Sequence, residues 1–261
     1  MQRLNRKNMK EKNTCLLRLC AVILLISVSS VLPAQLTYGT TGLLNMPSAE
    51  MQKDKTVMIG GNFLNKEITP TPWYYHTYNY YLNITFLSFV EFSYVSTLFD
   101  AEHLQLGEKD VTGFTNQDRQ YSIRIRLLKE GQLWKHMPAV VIGTSDPTTG
   151  RGEIATSRVG NGYFCRFYIA ATKHLLLGGT EDIGIHAAYI YNRRFDNPFN
   201  GPAVGISYNP SFQPQLRFIA EYNSKDVSVG ATYSFFNHLQ AQILFQRLQY
   251  FSGGLTFSFV L

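Results

Sequence analysis

From residue 55 to the last residue, apolar and polar side chains alternate at period two, in runs longer than an ordinary strand needs. Val227, Val229, Ala231, Tyr233 and Phe235 alternate with Ser228, Gly230, Thr232 and Ser234. Leu216, Phe218, Ala220 and Tyr222 oppose Arg217, Ile219 and Glu221, and Tyr121, Ile123, Ile125 and Leu127 oppose Ser122, Arg124 and Arg126. Successive side chains of an extended backbone point to opposite faces, so each run has one aromatic and aliphatic face and one small, polar or charged face. Such runs fall at 55–65, 75–86, 88–99, 119–129, 137–146, 162–173, 181–193, 201–209, 214–222, 227–235, 238–247 and 252–261. Most are roughly 9–13 residues, the length a tilted strand needs to cross a bilayer, whereas soluble strands average about 5–6. The expectation is an all-β fold: a single antiparallel transmembrane β-barrel of about twelve strands, an even number as bacterial single-chain barrels have.

The start of the chain has another character. Arg3, Arg6, Lys7, Lys10, Lys12 and Arg18 form a basic lead, followed by the apolar run from Leu19 to Val28 and by Ser-Ser-Val-Leu-Pro-Ala ending at Ala34. This reads as a secretory signal peptide over 1–34 with cleavage near Ala34. The pI of about 9.1 belongs largely to this leader. Beyond it 18 basic residues face 17 acidic ones, so bulk charge gives no basis for nucleic-acid binding. Cys15 and Cys20 lie in the leader and Cys165 stands alone after it, which excludes an internal disulfide and a cysteine-based zinc site. All 36 aromatic residues lie after position 34, yet no apolar run there is long enough to span as a helix. Secretion, near-neutral charge and aromatic alternation together point to the outer membrane of a Gram-negative bacterium, with membrane lipid as the first partner. The expected division is 1–34 signal peptide, 35–54 periplasmic lead-in, and 55–261 barrel.

With the first strand running outward, the external connections are 66–74, 100–118, 148–161, 194–200, 223–226 and 248–251. The internal turns lie near 87, 130–136, 174–180, 210–213 and 236–237. The three longest connections fall on one side, as expected for barrels with short periplasmic turns. Two of them carry mixed charge suited to polar ligands: Asp100, Glu102, His103, Glu108, Lys109 and Asp110 in the first, Arg151, Glu153 and Arg158 in the second.

Charge on a strand face cannot point at lipid, where a midplane Arg costs about 2–4 kcal/mol. Glu91, Arg124, Arg126, Arg166, His186, Arg217, Glu221, Gln240, Gln242 and Gln246 are therefore expected to face the lumen, either lining a channel or pairing as a polar filling. None of the six His residues stands in a nucleophile elbow or at metalloprotease spacing, so no catalytic residue, metal or cofactor is expected. Gly60-Gly61, Gly178-Gly179 and Gly253-Gly254 are read as strand kinks or barrel corners, because no helix start follows them.

Several stretches resemble the YjbH-type outer-membrane family associated with bacterial exopolysaccharide production. Gly42-Leu43-Leu44-Asn45-Met46-Pro47-Ser48-Ala49 is similar to the family's opening motif, in which Gly42, Asn45 and Pro47 are the motif positions. Asp118 to Ser122, Arg126 to Gly131, Met137 to Gly143, Tyr168 to Lys173, Ala220-Glu221-Tyr222 and Gly253-Gly254-Leu255 follow in the family's order. Long members of the family carry two barrel units, and this chain has room for one. The resemblance implies a non-catalytic barrel supporting exopolysaccharide production, export or surface display, with the polysaccharide and other export proteins as partners. It also implies that Asn45-Met46-Pro47 forms a turn or plug at the periplasmic mouth, Pro47 fixing the local backbone. A barrel enzyme acting on lipid or polysaccharide, and a structural scaffold barrel, are the alternatives.

Overall fold

The computed structural model describes residues 33–34, 37–68, 76–106, 109–148, 164–178, 181–194 and 197–261, with side chains described outside 99–118. The leader over 1–32, the connection positions 69–74 and 149–161 with Arg151, Glu153 and Arg158, and the charged side chains expected over 100–118 lie outside what is described.

Twelve strands form the fold: β1 Thr56–Leu64, β2 Thr77–Phe86, β3 Val90–Leu106, β4 Lys109–Leu128, β5 Ala139–Ser145, β6 Arg166–Leu177, β7 Glu181–Tyr191, β8 Gly201–Asn209, β9 Leu216–Tyr222, β10 Val227–Phe235, β11 Leu239–Gln246 and β12 Tyr250–Val260. Each pairs antiparallel with its chain neighbours, and β1 pairs with β12 through Val57 opposite Phe259 and Ile59 opposite Phe257. The sheet is thus a closed barrel with no free edge, which satisfies the backbone between strands as a bilayer demands.

Alternation sorts the faces as the sequence implies. Ile59, Phe92, Ile169, Ile206, Phe218, Ile243 and Leu255 are exposed on the outside. Glu91, Arg124, Ser207, Arg217, Thr232 and Gln242 are buried on the inside. A belt of large exposed apolar side chains around a closed barrel, with the charges enclosed, is stable only with hydrocarbon as the outer solvent.

The turns are economical. Leu87 and Ser88, Phe236 and Asn237, and Arg247 and Leu248 each form a pair with both φ values positive, the geometry of a two-residue hairpin that matches strand twist. At one mouth the connections are 87–89, 129–138, 178–180, 210–215 and 236–238; the longest connection, 146–165, is at the other. The asymmetry assigns the first mouth to the periplasm.

The connection expected over 100–118 is a hairpin rather than a loop. β3 and β4 run on as 17 and 20 residues, with Asp100 opposite Phe114 and Leu104 opposite Val111. Register shifts at Phe99/Asp100 and between Ala101 and Leu104 break the period-two pattern there, which hides the strands from a reading of alternation.

Two glycines of the wall, Gly60 of the first pair and the separate Gly143, make room for aromatic rings, and Gly179 lies outside the described residues. The ring of Tyr81 lies across Gly60, where a Cβ would collide with the phenol oxygen, and that of Tyr168 lies across Gly143, where a Cβ would collide with the ring. Both tyrosines are buried inside the barrel and cover glycine backbone.

Candidate functional site: the lumen and its N-terminal plug

The segment preceding β1 enters the lumen, deeper than the mouth position suggested by its motif. Residues 42–47 form a tight hairpin, with a bridge between Gly42 and Pro47 and Leu43 N donating to Met46 O at 3.1 Å. Leu43, Leu44 and Met46 have no solvent exposure and pack with Val141, Ala170, Ile190, Ile219 and Leu244 of the wall. Gly205 and Gly230 make room: a Cβ at Gly205 would stand 2.5 Å from Leu43 Cδ1, and one at Gly230 2.9 Å from Leu44 Cδ1. Three large apolar side chains at the head of the segment carry it past the mouth, because only the barrel interior removes them from water.

Burying this segment also buries its backbone polar groups, which must find partners. The charged wall residues supply them. The Glu221 carboxylate accepts hydrogen bonds from the amides of Leu44 (3.0 Å), Asn45 (2.7 Å) and Met46 (3.2 Å). Glu91 accepts from Thr41 N at 2.7 Å and from Asn83 Nδ2 at 2.7 Å. Arg124, paired with Glu91 at 3.0 Å, donates to Thr41 O on one arm of the plug. On the other arm it donates to Ser48 O at 2.6 Å and Glu50 O at 2.9 Å. Arg166 donates to Asn45 O at 3.0 Å and stacks 3.4 Å over the Tyr38 ring. Asn45 is doubly held, accepting from Thr37 Oγ1 at 2.8 Å and donating to Gln246 Oε1 at 3.0 Å. Gly39 O accepts from Asn83 Nδ2 and Ser93 Oγ.

Nearer the periplasm the wall forms a connected polar cluster. Arg217 donates to Glu50 and to Ser207, each at 2.7 Å. His186 shares hydrogen bonds with Ser207 at 3.1 Å and Thr172 at 3.0 Å, and Thr172 Oγ1 accepts from Ala49 N at 2.8 Å. Burial alone raises the Glu50 carboxyl, but the Arg217 guanidinium and the hydrogen bond from His174 outweigh it and hold that carboxyl well below the usual carboxylate range.

Of the residues expected inside, Glu91, Arg124, Arg166, His186, Arg217, Glu221, Gln240, Gln242 and Gln246 are buried within the barrel. Arg126 shares the Arg124 face at the periplasmic rim and is half-buried. Gln242 donates to Asn62, which donates to Asn79, so these amides form their own row along the wall. Gly42, Asn45 and Pro47 shape the plug turn. Unforeseen participants are Asn83, Ser93, Thr172, Ser207 and Glu50. Alternation could have placed the first four inside.

Ser207 and His186 are adjacent but not arranged for nucleophilic chemistry. The serine accepts from Arg217, the far imidazole nitrogen meets Thr172 rather than a carboxylate, and both residues are buried beneath the plug. No group of three or more His, Cys, Asp or Glu residues able to hold a metal ion occurs among the described residues.

An outside that calls for lipid and an inside filled by the chain's own N-terminal hairpin define the class: a plugged outer-membrane β-barrel. Within that class the chain belongs to the YjbH family, whose model, described as exopolysaccharide biosynthesis protein YbjH, matches residues 34–260. No curated protein matches it. Among solved structures it is similar to the KdgM porin in complex with disordered oligogalacturonate, at 9% identity and TM-score 0.44, covering 78% of this chain and 99% of that one. It is also similar to outer membrane phospholipase A from Escherichia coli, at 13% identity and TM-score 0.36, covering 80% and 92%. Omp33 of Acinetobacter baumannii gives 10% identity and TM-score 0.36, covering 80% and 98%.

Proposed function

We propose that this protein is a non-catalytic barrel that supports exopolysaccharide production, export or surface display, and that its lumen is a polysaccharide path closed at rest by residues 37–50. The observation that carries this reading is the chemistry of the clamp. Carboxylate, guanidinium and carboxamide groups that hold the plug backbone are the groups that hydrogen-bond sugar hydroxyls. Withdrawal of the hairpin exposes Glu91, Arg124, Arg166, Arg217, Glu221 and Gln242 along one passage, with Tyr168 and Tyr81 as faces for sugar rings. The family supplies the process, and partner export proteins follow from it. The geometry of Ser207 and His186 supports the non-catalytic side of the reading.

The test joins cells and bilayers. A strain lacking the protein should lose surface exopolysaccharide, and the full chain should restore it. In planar bilayers the full chain should stay closed, whereas a chain lacking 37–50 should conduct and be blocked by added oligosaccharide. Normal surface polysaccharide in the deletion strain overturns the process. A non-conducting plug-deleted barrel of normal heat-modifiable mobility overturns the passage.

A further inference from the structure

The outer wall between β4 and β7 holds a second built feature, independent of the lumen. A groove of about 510 Å³ opens on the lipid-facing side, with Ile125, Ile142, Ile169, Phe167, Tyr189 and Tyr191 among its lining residues. It exists because Thr144 is a small side chain in a row that runs Ile123, Thr144, Phe167, Tyr191. The Thr144 hydroxyl donates to Arg166 O, so it adds no unsatisfied polar group to the surface. On its periplasmic side the next row is Val140, Ala171 and Ala187, a low saddle leading toward the rim.

At that rim lies the one long periplasmic connection, residues 129–138. It is fixed in place rather than loose. Glu130 accepts from His174 N at 3.1 Å and pairs with Lys173 at 2.9 Å, while Lys173 also donates to Lys135 O at 3.1 Å. Gly131 N donates to Met137 O and Met137 N to Trp134 O, each at 2.9 Å, and Met137 is buried. The outcome is that Leu133 and Trp134, 68% and 57% exposed, project from a rigid loop beside Lys135 and His136. A large apolar tip next to cations is the composition of the headgroup interface, where amphipathic rings settle and phosphate is at hand.

We propose that this sector binds one anionic phospholipid of the inner leaflet, its acyl chain in the groove and its phosphate against Lys135 and Lys129. The distances suit that occupant. Lys173, Ala171, Ile169 and Phe167 share one face of β6, so at about 3.3 Å per residue the groove starts about 13 Å along the strand from the rim, or about 10 Å of depth at a tilt near 40°. Half of a 30 Å hydrocarbon core is about 15 Å, so an acyl chain anchored at the rim lies over the saddle and ends in the groove. Charge chooses the headgroup: the loop carries Lys129 and Lys135, and its single carboxylate, Glu130, is already spent on Lys173. The groove is also continuous with the belt that lipid covers.

Native mass spectrometry of the full chain released from phosphatidylglycerol-containing or phosphatidylcholine-only nanodiscs tests the site. The wild type should retain one phosphatidylglycerol and release phosphatidylcholine. Lys129→Glu with Lys135→Glu should reduce retention at least about a hundredfold, the loss of a charge-assisted hydrogen bond from each lysine. Thr144→Trp, which fills the groove from an outward position, should abolish retention while heat-modifiable mobility stays normal. In a Trp73→Phe background, brominated lipid should quench Trp134. No retained lipid, equal retention of both lipids, retention of lipid A instead, or a dimer that Thr144→Trp dissolves would each overturn the assignment.

Discussion

Replacing Glu221 with Ala tests the clamp at its most concentrated point. One carboxylate holds three consecutive amides at the plug tip, those of Leu44, Asn45 and Met46. A hydrogen bond to a charged group is worth about 1.5–3 kcal/mol, and three on one acceptor are not additive. The amides also regain water when the plug withdraws, which caps the loss. A net change of about 2–4 kcal/mol in docking follows, a shift of roughly 30- to 1000-fold in the closed-to-open ratio. Glu221→Gln keeps one acceptor oxygen in place and should give about half that free-energy change. The control is Ser93→Ala, which removes a single bond to Gly39 O. Single-channel recording is the direct assay, with the open fraction expected to rise in the order wild type, Ser93→Ala, Glu221→Gln, Glu221→Ala. If Glu221→Ala stays as closed as the wild type while the chain lacking 37–50 conducts, the carboxylate is not what keeps the plug in place and the reasoning fails.

Gly205→Val places side-chain atoms where Leu43 Cδ1 and Met46 Sδ already are, and overpacking of about 1–3 kcal/mol should raise the open fraction without lowering the temperature of heat modification. Arg124→Met leaves Glu91 buried without its cation and deprives Thr41, Ser48 and Glu50 carbonyls of a donor; a loss of about 3–5 kcal/mol should lower the temperature at which the barrel converts to its unfolded gel mobility. Because the Glu50 carboxyl is depressed on docking, its contribution is fully present above the ordinary value of about 4.3 and is lost progressively as pH falls from there toward the docked value; closure measured by conductance should weaken as pH falls below about 4.5. Cysteine at 125 should react with a lipid-soluble thiol reagent and cysteine at 124 should not; the reverse pattern means that the register is slipped by one residue.

How far the sequence carries depends on whether a feature repeats. β9 and β10 are legible because every second residue agrees, and the charges Arg217 and Glu221 fix which face is inside. The upper parts of β3 and β4 are not, because bulges reset the period between Phe99 and Leu104. The hairpin turns are legible in position, as breaks between runs near 87, 236–237 and 248, but not in type: Leu87-Ser88, Phe236-Asn237 and Arg247-Leu248 adopt positive φ without the Asn-Gly pair that normally announces it. The plug was legible only as a motif. Its destination had a physical sign in the alternation itself, since Val141, Ile190, Ile219 and Leu244 interrupt the otherwise polar inner face where Leu43, Leu44 and Met46 come to rest. Tyr81 and Tyr168 mislead in the opposite direction, being aromatic residues on the inner face that pack on glycine backbone rather than on lipid.

The plug is joined to β1 by the short stretch 51–55, and that tether has a consequence for what can compete with it. A segment held within reach of its own site returns with an effective concentration in the millimolar range or above, however often it leaves. For the sugar-binding lumen proposed above, a free monosaccharide engaging one or two wall groups would meet that rival afresh at every encounter and be displaced. A polymer that grips Glu221, Arg166 and Arg124 in succession is itself tethered by each contact it has already made, so its later contacts become intramolecular as well. On the polysaccharide path proposed above, the same short leash would act as a filter for chain length, admitting a strand of many sugars where its single units fail.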